Sequence, residues 1–335
     1  MMHPIQRAIV GAIAFLLAAA VIVYLDQLKA PENETDILKP EFTSSPSSYH
    51  PISIPALSQK EYNGRDLKLG IVQANTDRYT RYFVTYKSGD LTISGIMNIP
   101  KGDGPFPVLI LNHGYIDPAI YTNGRGLRRE QDYLASNGFA VLHPDYRNHA
   151  QSDKDPDYEH NIRTGYIEDV INAVLAVKGS DIPRLDTDRI GMLGHSMGGG
   201  IAQGVMVIQP DLVDAFVLYA PVSSNVVDSF NRWTTTRPAV ASEIVRRFGS
   251  PDDKPDFWKN LSPRTFFEKV SAPVLIFHGT ADDSVPIEWS RDTERLLREA
   301  GKEVRLVEYL GQPHEFSTSH QDFMSQTAAF FNENL

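Results

Sequence analysis

Arg189-Ile190-Gly191-Met192-Leu193-Gly194-His195-Ser196-Met197-Gly198-Gly199-Gly200 sets a serine among glycines directly after a short apolar run, and a helix-compatible stretch, Ile201 to Ile208, comes at once after it. This is a G-x-S-x-G written in the context of strand, sharp turn and helix. Such a turn forces the serine backbone into a conformation that only small neighbours tolerate, because a Cβ at Gly194 or Gly198 would crowd the crossing chain. The hydroxyl is lifted clear of the sheet at the positive end of a helix, where a nucleophile that generates an oxyanion is useful. The pentapeptide takes its meaning from the strands and loops on its carboxyl side.

Downstream, Pro273 to Gly279 reads as a buried strand, and Thr280-Ala281-Asp282-Asp283-Ser284-Val285-Pro286 as the loop leaving its carboxyl end. Val304 to Tyr309 alternates like a further strand and runs into Gly311-Gln312-Pro313-His314-Glu315-Phe316. A nucleophile, an acid and a histidine thus come in the order Ser, Asp, His, each just past a strand. Loops at the carboxyl ends of parallel strands converge on one point even when far apart in sequence.

Residues from about 80 to 335 resemble the α/β-hydrolase superfamily, especially its prolyl oligopeptidase and dienelactone hydrolase branch. The resemblance is carried by Asn112-His113-Gly114-Tyr115 after one strand, Pro144-Asp145-Tyr146-Arg147 after the next, and the elbow at Ser196. The segment His278 to Pro286, with its D-x-x-V-P, and Pro313-His314-Glu315-Phe316 complete it. It implies an α/β-hydrolase fold with a mostly parallel sheet, helices on both faces and a small helical lid. It also favours Asp282 over Asp283 as the acid. Two departures stand out. Met197 comes directly after the nucleophile, where peptidases of the branch more often carry an aromatic, and H-G-Y stands where many carry H-G-G-P.

The chain has 335 residues, 41% of them hydrophobic, enough for one large α/β domain. A net charge of −10, with no basic run in the folded part, argues against nucleic acid as a partner. The absence of cysteine excludes disulfides, thiolate metal sites and a cysteine nucleophile. No His/Asp/Glu cluster has metal-ligand spacing, and Gly124-Arg125-Gly126 lacks the context of a nucleotide loop, so neither metal nor cofactor is expected.

Ala8 to Leu25 is an unbroken run of 18 apolar or small residues preceded by His3 and Arg7. That length is at the lower limit for spanning a bilayer and above the usual core of a cleavable signal. The reading is an uncleaved single-pass membrane anchor over residues 1–25 with the enzyme on the extracytoplasmic side. Cleavage after Ala18-Ala19-Ala20, giving a secreted or periplasmic product, is the alternative. Pro31, Pro40, Pro46, Pro51 and Pro55, together with Ser44-Ser45 and Ser47-Ser48, mark a linker, which the domain division extends over 26–79.

The catalytic domain, 80–335, opens with a hairpin through Tyr82–Tyr86 and Leu91–Ile99. Strands then alternate with helices near Arg128 to Asn137, Thr164 to Lys178 and Ser196 to Ile208, the pattern of a mostly parallel sheet. Pro221 to Ser271 breaks the rhythm. It is rich in aromatics, Trp233 and Trp258 among them, and reads as the lid, with those two tryptophans as substrate-binding walls.

The catalytic set is therefore Ser196, Asp282 and His314. His113, His195 and His278 abut glycines at strand ends, the setting of packing and backbone hydrogen bonds. The backbone N–H groups of Tyr115 and Met197 form the expected oxyanion hole, with the Tyr115 hydroxyl as an alternative donor. The function expected is a serine hydrolase that cleaves small carboxylic esters through an acyl-enzyme. The alternative is a prolyl oligopeptidase-like peptidase acting on short peptides. Such peptidases usually carry a propeller ahead of the catalytic domain, and about 80 residues cannot make one when each blade needs roughly 40. A lipid-facing activity at the membrane is a third reading, and a non-catalytic binding protein on the same fold a fourth.

Overall fold

The structure, a computed structural model, describes residues 49–335, and these form one compact unit. Its elements in chain order begin with a single turn α1 (Ile54–Leu57), β1 (Arg65–Asn75), β2 (Tyr79–Ser88), β3 (Leu91–Pro100) and β4 (Phe106–Asn112). Next come α2 (Arg128–Ser136), β5 (Ala140–Pro144), α3 (Thr164–Lys178), β6 (Leu185–His195), α4 (Met197–Ile208) and β7 (Ala215–Tyr219). Beyond the intervening segment lie β8 (Val274–Gly279), a helix at Ile287–Glu299, β9 (Val304–Tyr309) and a final helix at His320–Asn334.

The nine strands form one sheet in the order β1-β2-β3-β5-β4-β6-β7-β8-β9. Pairs from β1 to β5 across β2 and β3 are antiparallel, and those from β5 through β4, β6, β7 and β8 to β9 are parallel. The β2–β3 hairpin closes through Gly89, whose φ of +60° suits a tight turn. The interior parallel strands are buried on both sides, and the two-residue period of a strand sorts their side chains. Val108, Ile110, Met192, Phe216 and Ile276 point to one face, packed with Ala173, Val174, Ala202 and Val205 of α3 and α4. Leu109, Leu111, Val217 and Phe277 point to the other, packed with Leu134 of α2 and with Phe323 and Phe331 of the last helix. This is the mostly parallel, doubly covered sheet of an α/β-hydrolase.

Between β7 and β8, residues 221–271 form only helical turns: Val226–Ser229, a π turn at Phe230–Thr234, Pro238–Phe248, Pro255–Leu261 and a 3₁₀ turn at Pro263–Lys269. They build a small core of their own from Phe230, Ile244, Trp258 and Leu261. We label the longer helices of the chain's second half α5 (Pro238–Phe248), α6 (Pro255–Leu261), α7 (Ile287–Glu299) and α8 (His320–Asn334).

The linker expectation needs correction. The folded unit begins at Tyr49. Ile54 and Leu57 are each 2% exposed within the main core, and β1 extends the sheet beyond β2. Its side chains are largely exposed, yet Leu67, Leu69 and Ile71 alternate with Asp66, Lys68 and Gly70, a strand signal that the linker expectation passed over. Residues 1–48, and with them the apolar run Ala8 to Leu25, lie outside the described residues. Among the described residues no helix is long and apolar enough to cross a membrane.

Candidate active site

The site forms at the carboxyl ends of β4, β6, β8 and β9. At the end of β6, Ser196 has φ +55° and ψ −119°, a strained conformation for a side-chain-bearing residue. Its amide donates to the Tyr219 carbonyl at 3.0 Å, and its carbonyl accepts from Gly199 at 2.9 Å and Val222 at 3.1 Å. The turn is thus pinned by the end of β7 and by the first turn of α4. Gly198 is required here, because a Cβ would collide with the Asn112 carbonyl of β4. The Ser196 hydroxyl makes no hydrogen bond within the described residues and opens onto a cavity of about 580 Å³, which His314 also lines.

His314 lies in the loop after β9. Phe316 donates its amide to the Tyr219 hydroxyl at 2.6 Å, and the Gln312 side chain accepts from the Ser317 and Ser319 amides. The β8 and β9 loops are joined where the Ala281 amide donates to the Gln312 carbonyl at 3.0 Å. This brings His314 Nδ1 to 2.7 Å from Asp282 Oδ2. An N–H at Nδ1 leaves Nε2 free to accept a proton from the cavity side. Asp282 Oδ1 in turn accepts the amides of Ser284 at 2.9 Å and Val285 at 2.8 Å. Burial pushes the Asp282 carboxyl upward, but hydrogen bonds from His278, His314 and Val285 outweigh it and hold the group below the usual carboxylate range. Asp283 is exposed, and its side chain accepts only the Ser284 hydroxyl among the described residues.

The loop after β4 packs on the elbow: a Cβ at Gly114 would stand 3.1 Å from the Ser196 Cβ. The amides of Tyr115 and Met197 donate to nothing among the described residues, and both residues line the same cavity. The Tyr115 ring is half exposed, with the Arg163 guanidinium 4.7 Å above it.

The two tryptophans separate. Trp233 lines the cavity and meets Trp289 edge-on at 5.6 Å. Trp258 does not line it. It is 1% exposed inside the small core of the 221–271 segment, where its indole N–H donates to the Gly249 carbonyl at 3.1 Å. Its apolar body and single donor are better satisfied there than at a wet wall, so the substrate-contact expectation for Trp258 is overturned.

Of the three histidines at strand ends, His113 bonds the Gly114 carbonyl at 2.7 Å, and its ring stacks on Tyr146 at 4.3 Å. His195 packs between Tyr219 at 4.4 Å and His314 at 4.6 Å; burial, with His314 nearby, pushes its imidazole down to about 3. His278 makes the expected backbone bond, to the Val285 carbonyl at 3.0 Å, and goes beyond it, since its Nε2 also lies 3.1 Å from Asp282 Oδ2. Asp145 accepts from Ser94, Tyr121, Asn123 and Gly124, organising the loops beneath the cavity. Sequence reasoning did not find Glu159, Arg163 and Arg237, which also line the cavity. They carry no motif. Among the described residues no group of three or more side chains could hold a metal ion.

Comparison with known proteins agrees with this architecture. The model of the prolyl oligopeptidase family matches residues 125–335. The chain belongs to the prolyl oligopeptidase family. It is 26% identical over 236 residues to the uncharacterised peptidase YtmA of Bacillus subtilis, covering 70% of this chain and 86% of that one. It is equally 26% identical over 254 residues to the esterase EstD of Thermotoga maritima, covering 65% of this chain and 57% of EstD. The acylaminoacyl peptidase of Pyrococcus horikoshii superposes with a TM-score of 0.62 at 21% identity, covering 78% of this chain and 42% of that longer one. As a member of the prolyl oligopeptidase family with peptidase and esterase relatives, the chain is a serine hydrolase.

Proposed function

We propose that this hydrolase cleaves small carboxylic esters through an acyl-enzyme on Ser196. The observation that carries the reading is the hydrogen-bonded Asp282–His314 pair opening onto the same cavity as Ser196 on its strained elbow. His314 Nε2 takes the Ser196 proton as the oxygen attacks the acyl carbon, and Asp282 orients and stabilises the resulting imidazolium. The Tyr115 and Met197 amides receive the tetrahedral oxyanion, which needs donors already free of other partners. His314 then protonates the leaving oxygen, and a water repeats the sequence on the acyl-enzyme.

The cavity supports esters over peptides. Among the described residues Glu159 is the one acidic side chain lining it, and two arginines already bond that carboxylate, so no free anion waits for a peptide's amino terminus. A set of p-nitrophenyl esters of rising acyl length, beside aminoacyl-4-nitroanilides, tests the reading on the full-length protein. Ester turnover with anilides inert is expected. Faster cleavage of the anilides assigns the chain to the peptidases of its family instead.

The run Ala8 to Leu25 supports membrane attachment. Such a protein stays in the membrane pellet through high salt and carbonate, because salt screens charges and leaves hydrophobic insertion intact. Release by either wash, or a mature product beginning near Val21, counts against an anchor.

A further inference from the structure

Beside His314, three charged side chains line the cavity among the described residues: Glu159, Arg163 and Arg237. Glu159 lies between the two arginines, accepting from Arg163 Nη2 at 2.9 Å and also from Arg237 Nη1. Each guanidinium offers five N–H donors, and each gives only this one side-chain hydrogen bond within the described residues. Arg147 is the contrast, since its guanidinium donates twice to Asp169 and once more to Asp155. Glu159 stays ionised, because the bonds from Arg237 and Arg163 outweigh the upward push of burial. Two cations and one anion leave the cavity wall with one uncompensated positive charge.

The backbone holds this arrangement at a cost. Ile162 and Arg163 have φ of +54° and +57°, two consecutive side-chain-bearing residues in the left-handed region, one of them β-branched. That kink sets Arg163 at the start of α3, with its guanidinium 4.7 Å above the Tyr115 ring. Arg237 comes from the 221–271 segment, immediately before α5. The two planar forks thus meet at Glu159 Oε1 on the cavity wall with donors to spare, a geometry suited to a carboxylate.

We propose that Arg163 and Arg237 form an anion subsite in the Ser196 cavity that receives a carboxylate carried by the substrate. The assignment rests on reading that cavity as the site of ester hydrolysis. One bound carboxylate balances the charge: two guanidiniums then face two carboxylates, Glu159 and the ligand. The carboxylate can belong to the acyl part or to the leaving group, and the test separates these sources.

The experiment uses matched esters on the full-length protein. In the acyl arm p-nitrophenyl monoglutarate is compared with p-nitrophenyl valerate. In the leaving-group arm 4-carboxyphenyl valerate is compared with its neutral 4-carbamoylphenyl analogue. In one arm kcat/KM favours the anionic member by about tenfold or more, the size of a charge-assisted pair, and the preference shrinks at high salt. Arg163→Gln and Arg237→Gln each lower that ratio, and Arg237→Lys keeps part of it. Calorimetric binding of the same pairs to the Ser196→Ala protein needs no turnover and shows the same preference. No preference in either arm, or one that survives the double substitution to glutamine, overturns the subsite and leaves the triplet as a clamp. If the wild type hydrolyses no ester yet binds the anionic member more tightly, the hydrolase reading fails and the subsite stands. Equal hydrolysis and equal binding of both members give the reverse.

Discussion

His278 Nε2 lies 3.1 Å from Oδ2 of Asp282. That is the oxygen His314 Nδ1 approaches to 2.7 Å from the other side. His278 Nε2 is also 3.0 Å from the Val285 carbonyl. Both neighbours are acceptors, so this nitrogen carries a proton, and Nδ1 accepts from the Ser290 hydroxyl at 2.7 Å. The two acceptors at Nε2 therefore fix the tautomer of His278, with Ser290 of α7 as the matching donor, and His278 helps fix the carboxylate that orients His314.

His278→Gln should lower kcat roughly tenfold while KM changes less than about twofold, since one hydrogen bond to a charged group is lost away from the substrate. Steady-state kinetics on a variant with an unaltered melting temperature checks this. An unchanged kcat shows that the Val285 and Ser284 amides suffice to hold Asp282.

Ser196→Ala should abolish labelling by a fluorophosphonate and reduce turnover by about 10⁴ or more. Asp282→Asn should cost about 10²–10⁴ by favouring the wrong imidazole tautomer, whereas Asp283→Asn, altering an exposed side chain, should be mild. Equal losses for the two aspartates reject the assignment of Asp282.

The two tryptophans should fail in different ways. Trp258→Ala empties the small core beside Phe230 and leaves the Gly249 carbonyl unpaired, so a loss of about 3–5 kcal/mol is expected in urea unfolding. Trp233→Ala should leave stability nearly unchanged and penalise long acyl chains more than acetyl. Each methylene contact is worth about 0.8 kcal/mol, so its penalty grows along the ester series. A uniform penalty means that Trp233 braces the segment through Trp289 without touching substrate.

Stability should fall in mild acid. Burial pushes His143 and His195 down to about 3, and His113 lies well below its ordinary value for the same reason. In the unfolded chain these rings take up protons near pH 6.5, and in the fold they do not. Between about pH 6.5 and pH 3 the unfolded state therefore binds more protons, and stability rises with pH. At pH 5 His143 and His195 each cost about 2 kcal/mol relative to neutral pH. His143 has no partner for either ring nitrogen among the described residues, so His143→Leu should flatten the dependence and raise Tm more at pH 5 than at pH 7.5. Parallel melting curves at both pH values for the two proteins would reject this account.

Much of the architecture was readable before any coordinate. Glycines at positions 194 and 198 around a serine speak of a backbone conformation that a Cβ forbids, a constraint visible one residue at a time. The all-apolar β7 and the nearly apolar β8 announce strands covered on both faces, because a period of two with both sides buried leaves few polar positions. The order of serine, aspartate and histidine comes from strands that end on one edge.

What the sequence by itself determined is therefore local: the elbow, the strand runs, and the loops that carry Asp282 and His314. Tertiary structure alone decided which groups those loops meet. It gave His278 a second partner, Asp282, beside its backbone bond, buried Trp258 while leaving Trp233 on the cavity, and added residues 49–79 to the folded unit. It also brought Arg237 to the wall that carries Glu159 and Arg163, across 78 positions of the chain. Even where the partners are near in the chain, as His278 and Asp282 are, packing of the loops brings them together, and burial and charge pairing are settled by neighbours that no local period encodes.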